Sequence, residues 1–193
     1  MPLVPELERI RREAETASAE AGRLCDGLGE ESLAWRPQTG RWSIAEHLLH
    51  LEMTTRTFLP VVDQSIAEAR SKGLTSPGPF RLGLKGRLFV WYNEPPPMFR
   101  LPAPKALQPI TQGAATEALP RFLQSQRLML ERLELANGLD IARARLASPF
   151  ASYIRMSLFA LFSVFTAHER RHLWHISNLR RQLAERAEAM PQC

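Results

Sequence analysis

Five histidines stand in two groups along this 193-residue chain: His47 and His50 in the first, His168, His172 and His175 in the second. A neutral imidazole offers a lone pair to a divalent metal, which makes such clusters candidates for ion binding. Residues four apart on a helix lie about 40° apart around the axis and one turn apart along it, so His168 and His172 face the same way. Two rings in that relation can grip one ion. From His168 to His175 the helix axis advances about 10.5 Å, too far for a single ion to take all three. A third ligand must come from elsewhere, and only His47 and His50 remain. Local periodicity leans towards His47, which flanks the apolar stripe of its helix, over His50, which lies further round.

The run His168-Glu169-Arg170-Arg171-His172 also fits the metalloprotease pattern H-E-x-x-H, with Glu169 as general base. The longer protease form needs Gly and a third His where this chain has His175 and Asn178. The form with a later Glu ligand draws it from a separate helix, whereas Glu185 and Glu188 sit about 20–24 Å down the same one. Glu169 is about 100° round from His168, which predicts a place beside the site or on the surface. Three neutral imidazoles leave a divalent ion its full charge and open coordination positions, as catalytic rather than structural sites do. Neither cysteine reads as a nucleophile, since Cys25 falls at a helix end and Cys193 at the tail.

These residues need long helices to bring them together. Leu3, Leu7, Ile10, Ala14, Ala17, Ala21, Leu24 and Leu28 alternate in steps of four and three, predicting an amphipathic helix over about 4–27. Ser43 with Glu46 three residues on is a capping box. It opens a second helix to about Lys72 with Ile44, Leu48, Leu51, Thr55, Phe58 and Val62 inward and a kink at Pro60. Residues 73–114 lose this period, and nine of the 15 prolines fall between Pro77 and Pro120. That stretch, with a short helix over Leu84–Tyr92, reads as an ordered crossover packed on the bundle through Phe80, Phe89, Trp91 and Phe99. A third helix is expected over about 115–136, with Leu119, Phe122, Leu123, Gln126, Leu130 and Leu133 inward. A loop holding Pro149 follows, then a fourth helix over about 153–187 whose first half, Met156 to Phe165, is apolar nearly all round. No strand alternation and no internal repeat stand out. The expected fold is all-α: a single domain over 1–193, built as a four-helix bundle with a long proline-rich crossover between helices 2 and 3.

The bulk properties narrow the function. The net charge of +5 comes mostly from Arg scattered among Glu on helical faces, a salt-bridged surface and not a nucleic-acid footprint. No apolar run approaches a membrane span, and the first residues turn charged at once without a signal-peptide core. With two cysteines and no disulfide framework, a reducing cytoplasm is the expected location.

Trp42-Ser43-Ile44-Ala45-Glu46-His47-Leu48-Leu49-His50-Leu51, taken with His168-x-x-x-His172, resembles the DinB/YfiT-like superfamily of bacterial metal-binding four-helix bundles. There a Trp-Ser helix start precedes a His-Leu pair whose His is a ligand, and a late helix carries His-x-x-x-His. The resemblance implies His50, His168 and His172 as metal ligands, with His175, where the family often has Gln, behind them. The segment Pro95 to Pro109, with Phe99 and Pro102-Ala103-Pro104, also resembles the family's crossover. A His₃ set suits zinc, nickel and ferrous iron alike as cofactor, and the resemblance further implies a small-molecule partner. The reaction would be that of a low-molecular-weight-thiol S-transferase or a hydrolase, in a pocket walled by Trp42, Phe99 and Trp174. A non-enzymatic metal-binding or scaffold role is the competing reading, a homodimer is in keeping with the family, and neither nucleic acid nor membrane is an expected partner.

Overall fold

The computed structural model describes residues 2–98, 103–109 and 113–189. It is mostly helical, with six α-helices and one small sheet among the described residues: α1 (Pro5–Cys25), α2 (Glu30–Ala34), α3 (Ile44–Ser71), α4 (Leu84–Asn93), α5 (Ala118–Leu135), β1 (Arg145–Ser148), β2 (Ala151–Ser157) and α6 (Leu158–Ala189). The four long helices α1, α3, α5 and α6 pack on one another: α3 meets α5 and α6, and α1 meets α5 and α6. None of the described helices is long and apolar enough to cross a membrane.

The stripe expected on α1 is the buried one, from Leu7 through Ile10, Ala14, Ala17 and Ala21 to Leu24. On α3 all six expected inward residues are buried, joined by Glu46, His47, His50 and Glu52. Pro60 lies within the uninterrupted helix and is solvent-exposed. Its missing N–H leaves the Arg56 carbonyl without an intrahelical donor, a loss water can make good at an exposed position. On α5 the buried set is Ala118, Phe122, Ser125, Gln126, Met129 and Leu133, so the inward face is turned slightly from the expected one and Leu119, Leu123 and Leu130 are half-buried.

Two apolar clusters fill the interior. One joins Leu7, Phe58, Val62, Leu133, Ile141 and Phe162, and the other joins Ala21, Ile44, Leu48, Phe122, Leu173 and Ile176. Buried charge on α3 is matched: Glu52 receives Arg56 from its own helix at 2.6 Å and Arg121 from α5 at 3.1 Å.

The sheet corrects the expectation of no strand. β1 and β2 pair antiparallel, Leu146 opposite Met156, around a turn at Pro149-Phe150. Tyr153 and Arg155 face out while Ile154 and Met156 are half-buried, an alternation too short to stand out from a helical pattern. The last helix therefore starts at Leu158, five residues later than expected, and its opening run Leu158 to Ser163 is wholly buried.

After α3, the short helix expected over Leu84–Tyr92 is present as α4. Phe80 is buried and α4 forms against α6, with Gly86 close enough that an added Cβ would meet Ala160 at 3.3 Å. Arg170 joins α6 to Glu13 of α1 and to Glu94 at the end of α4, both at 3.0 Å. Contrary to the packing expected of them, Trp91 is 54% and Phe89 37% exposed. Phe99 and Pro102 lie outside the described residues.

The start of α3 is held by a complete capping box: Ser43 Oγ accepts from the Glu46 amide at 3.2 Å, and the Glu46 carboxylate accepts from the Ser43 amide at 2.8 Å. Arg36 donates to the same carboxylate at 2.7 Å. Replacing Ser43 with alanine is expected to lower stability by about 1 kcal/mol, read as a lower urea midpoint with an unchanged slope. No change in that midpoint would mean the cap is energetically idle.

Candidate metal centre

The cap fixes where α3 begins, and so sets His47 about one turn and His50 about two turns inside it. They face the middle of α6, where His168, His172 and His175 follow at helical spacing. The Nε2 atom of His168 lies 3.0 Å from Nε2 of His172 and 3.3 Å from Nε2 of His50. One ligand nitrogen from each of the three lies within 4.8 Å of the others, so together they could hold a metal ion. Imidazole nitrogens held tetrahedrally at about 2.0–2.1 Å from zinc stand about 3.3 Å apart.

The hydrogen-bond partners decide which nitrogens carry protons. Nδ1 of His50 lies 2.8 Å from the Leu107 carbonyl. A carbonyl only accepts, so His50 donates from Nδ1 and its Nε2 presents a lone pair to the cluster. Leu107 belongs to a short 3₁₀ turn, Lys105–Leu107, between α4 and α5. The three converging nitrogens are thus short of donors, and a cation is the group that would satisfy all of them.

Burial reinforces this. It holds the His168 ring far below its usual range, at about 3, with the nearby His50 and Arg171 acting in the same direction. Burial likewise lowers His50 and, far more, His172, whose neighbours His168, His47 and His50 act in the same direction. All three rings are therefore neutral near pH 7, the form that binds metal.

His47 occupies a different place. Its Nδ1 lies 2.8 Å from Nδ1 of His172, on the side of that ring away from the Nε2 cluster. Its own ring stacks on His175, with centroids 5.2 Å apart and planes at 10°. The structure therefore brings His50, and not the His47 favoured by local periodicity, into the cluster with His168 and His172.

Trp42, just before the cap, covers the cluster: its ring centroid is 4.8 Å from that of His50 and 6.0 Å from that of His172. Trp174 does not wall it in the same way. It is 40% exposed, meets His175 edge-on, and lines a groove between α1 and α6 with Glu13 and Leu173. Cys25 is buried, which pushes its thiol up to about 11, away from nucleophilic use; Cys193 is outside the described residues.

Glu169 is not on the surface. It is buried, and its Oε1 accepts from Gln126 of α5 at 2.7 Å while Oε2 has no hydrogen-bond partner. Burial raises its carboxyl to about 7. The contact with Gln126 joins an expected inward residue of α5 to the Glu of the protease-like pattern, a pairing that spacing along either helix does not reveal.

A family model described as the DinB superfamily matches residues 13–176, a span that takes in all five histidines. The chain belongs to the DinB superfamily. No curated protein and no solved structure matches it. Within this DinB-superfamily chain, the matched span covers Trp42, the capping box and the Leu107 turn as well as the two histidine groups.

Proposed function

We propose that this chain is a divalent-metal protein whose ion is held by His50, His168 and His172. We further propose that it acts on a small molecule as a low-molecular-weight-thiol S-transferase or a hydrolase. The observation that carries the reading is the convergence of three neutral Nε2 atoms, at 3.0 and 3.3 Å, with the His50 proton committed to Leu107. An ion held by three neutral ligands keeps its charge and open positions, and so would lower the pKa of a water or thiol brought to it. The protein's own contribution is orientation and exclusion of bulk water. The Leu107 carbonyl fixes the His50 ring, Trp42 covers His50 and His172, and the clustered apolar side chains of α3 and α6 keep the rings uncharged. Zinc, nickel and ferrous iron all suit a His₃ set. In this reading α1, α3, α5 and α6 form a four-helix bundle in one domain, and residues 73–114 are its crossover, reaching the site through Leu107. Glu169, engaged with Gln126, is given no role as a base.

Elemental analysis of protein purified without a histidine tag is expected to find one equivalent of metal per chain. Metal-loaded protein is then offered glutathione, bacillithiol or mycothiol with a panel of electrophiles, alongside His172→Ala. Equal rates in the two proteins would remove the transferase reading. Bound metal without turnover on thiols or hydrolysable substrates would point to a metal-binding or scaffold role.

A further inference from the structure

The contact between His47 and His172 has no part in holding an ion directly, yet it joins two buried rings across α3 and α6. His172 directs Nε2 at the cluster, so with that nitrogen given to a metal its proton sits on Nδ1. That proton points at Nδ1 of His47, 2.8 Å away. For His47 to accept it, its own proton must sit on Nε2. The His47 ring is held in place from two sides: it stacks on His175 at 10° and meets Trp42 edge-on at 5.4 Å. A ring so confined cannot turn to present another atom.

We infer that His47 is a positioning residue for the metal centre: it accepts the Nδ1–H of His172 and thereby fixes the tautomer and the angle at which His172 offers Nε2. The inference rests on the metal reading above and deepens it. One helix, α3, then supplies both a ligand and, one turn earlier, the group that orients a ligand on α6. A hydrogen-bond acceptor behind a metal-bound imidazole raises the basicity of the ring and sets its direction, and losing such a partner lowers metal affinity about 10–100-fold. His175 acts through His47 by stacking.

The test uses the full-length protein and zinc alone, titrated in competition with a chromophoric chelator. His47→Leu removes the acceptor, whereas His47→Asn keeps an oxygen near the position of Nδ1. The expected result is a loss of about 10–100-fold for the Leu variant and an affinity close to wild type for the Asn variant. Leu binding as tightly as wild type, or Asn binding as weakly as Leu, would overturn the inference. Failure of the underlying metal reading is distinct, since it shows as no zinc binding by the wild-type protein. Should the Leu variant not fold, the long-range proton–nitrogen spectrum of the zinc-loaded wild type decides. It is expected to show His172 protonated at Nδ1 and His47 at Nε2; the reverse assignment at His47 sinks the proposal.

Discussion

His172→Ala is expected to weaken zinc binding more than about 100-fold, beyond the range seen when only the support of a ligand is lost. This ring meets another histidine on each side, His168 through Nε2 and His47 through Nδ1. Its removal takes away one ligand and leaves His47 with nothing to orient. The two that remain, His50 and His168, are 3.3 Å apart across two helices and make at most a bidentate site. Turnover of a thiol or hydrolysable substrate should fall with the metal. Chelator competition measures the affinity directly, and a variant that holds zinc as the wild type does would remove His172 from the ligand set.

The metal-free protein is expected to lose stability as the pH falls below about 6.5, the ordinary pKa of an exposed histidine. His47, His50, His168 and His172 all have folded-state pKa values below that reference, chiefly through burial. Below pH 6.5 the unfolded chain takes up protons that the folded chain refuses. The stability these groups contribute is therefore complete above that pH and is lost progressively towards the folded values, about 3 in the case of His168. Each such group adds a slope of up to about 1.4 kcal/mol per pH unit.

Glu169 works in the opposite sense. Its folded pKa of about 7 lies above the ordinary carboxylate value of 4.5, so it stabilises the fold at low pH and loses that contribution as pH rises through 7. One group against four leaves the histidines dominant. Loss of the histidine contribution should therefore lower the stability of the metal-free protein steadily as pH falls below about 6.5. Zinc occupies the lone pairs that protons would take, so loading should move that loss to lower pH. Urea unfolding followed by helical circular dichroism across pH, with and without chelator, reads both effects. A metal-free urea midpoint that does not fall between pH 6.5 and pH 4 would show that the rings accept protons without strain.

Most of the helical framework was legible because its causes are local. The four-and-three spacing from Leu7 to Leu24 and the pairing of Ser43 with Glu46 are properties of neighbouring residues, and α1 and α3 form where those signals place them. The hairpin was not legible, because its pairing of Leu146 with Met156 lies between residues that are not neighbours in sequence. Its second strand alternates only briefly, half-buried Ile154 and Met156 with exposed Tyr153 and Arg155, before the continuous apolar run of α6 begins.

The same division runs through the site. That His168 and His172 share a face, and that a third ligand had to come from residue 47 or 50, follows from helical spacing alone. Both of those candidates lie within a single turn, and nothing in that turn says which one meets α6. Packing of Ile44, Leu48 and Leu51 against the apolar face of α6 sets the rotation of α3 about its axis. That rotation brings Nε2 of His50 to the cluster and Nδ1 of His47 to the back of His172. The Leu107 carbonyl and the Gln126 amide arrive from other segments altogether. Spacing along one helix determines which side chains travel together; which atoms of different helices touch is decided only when those helices bury their apolar faces against each other.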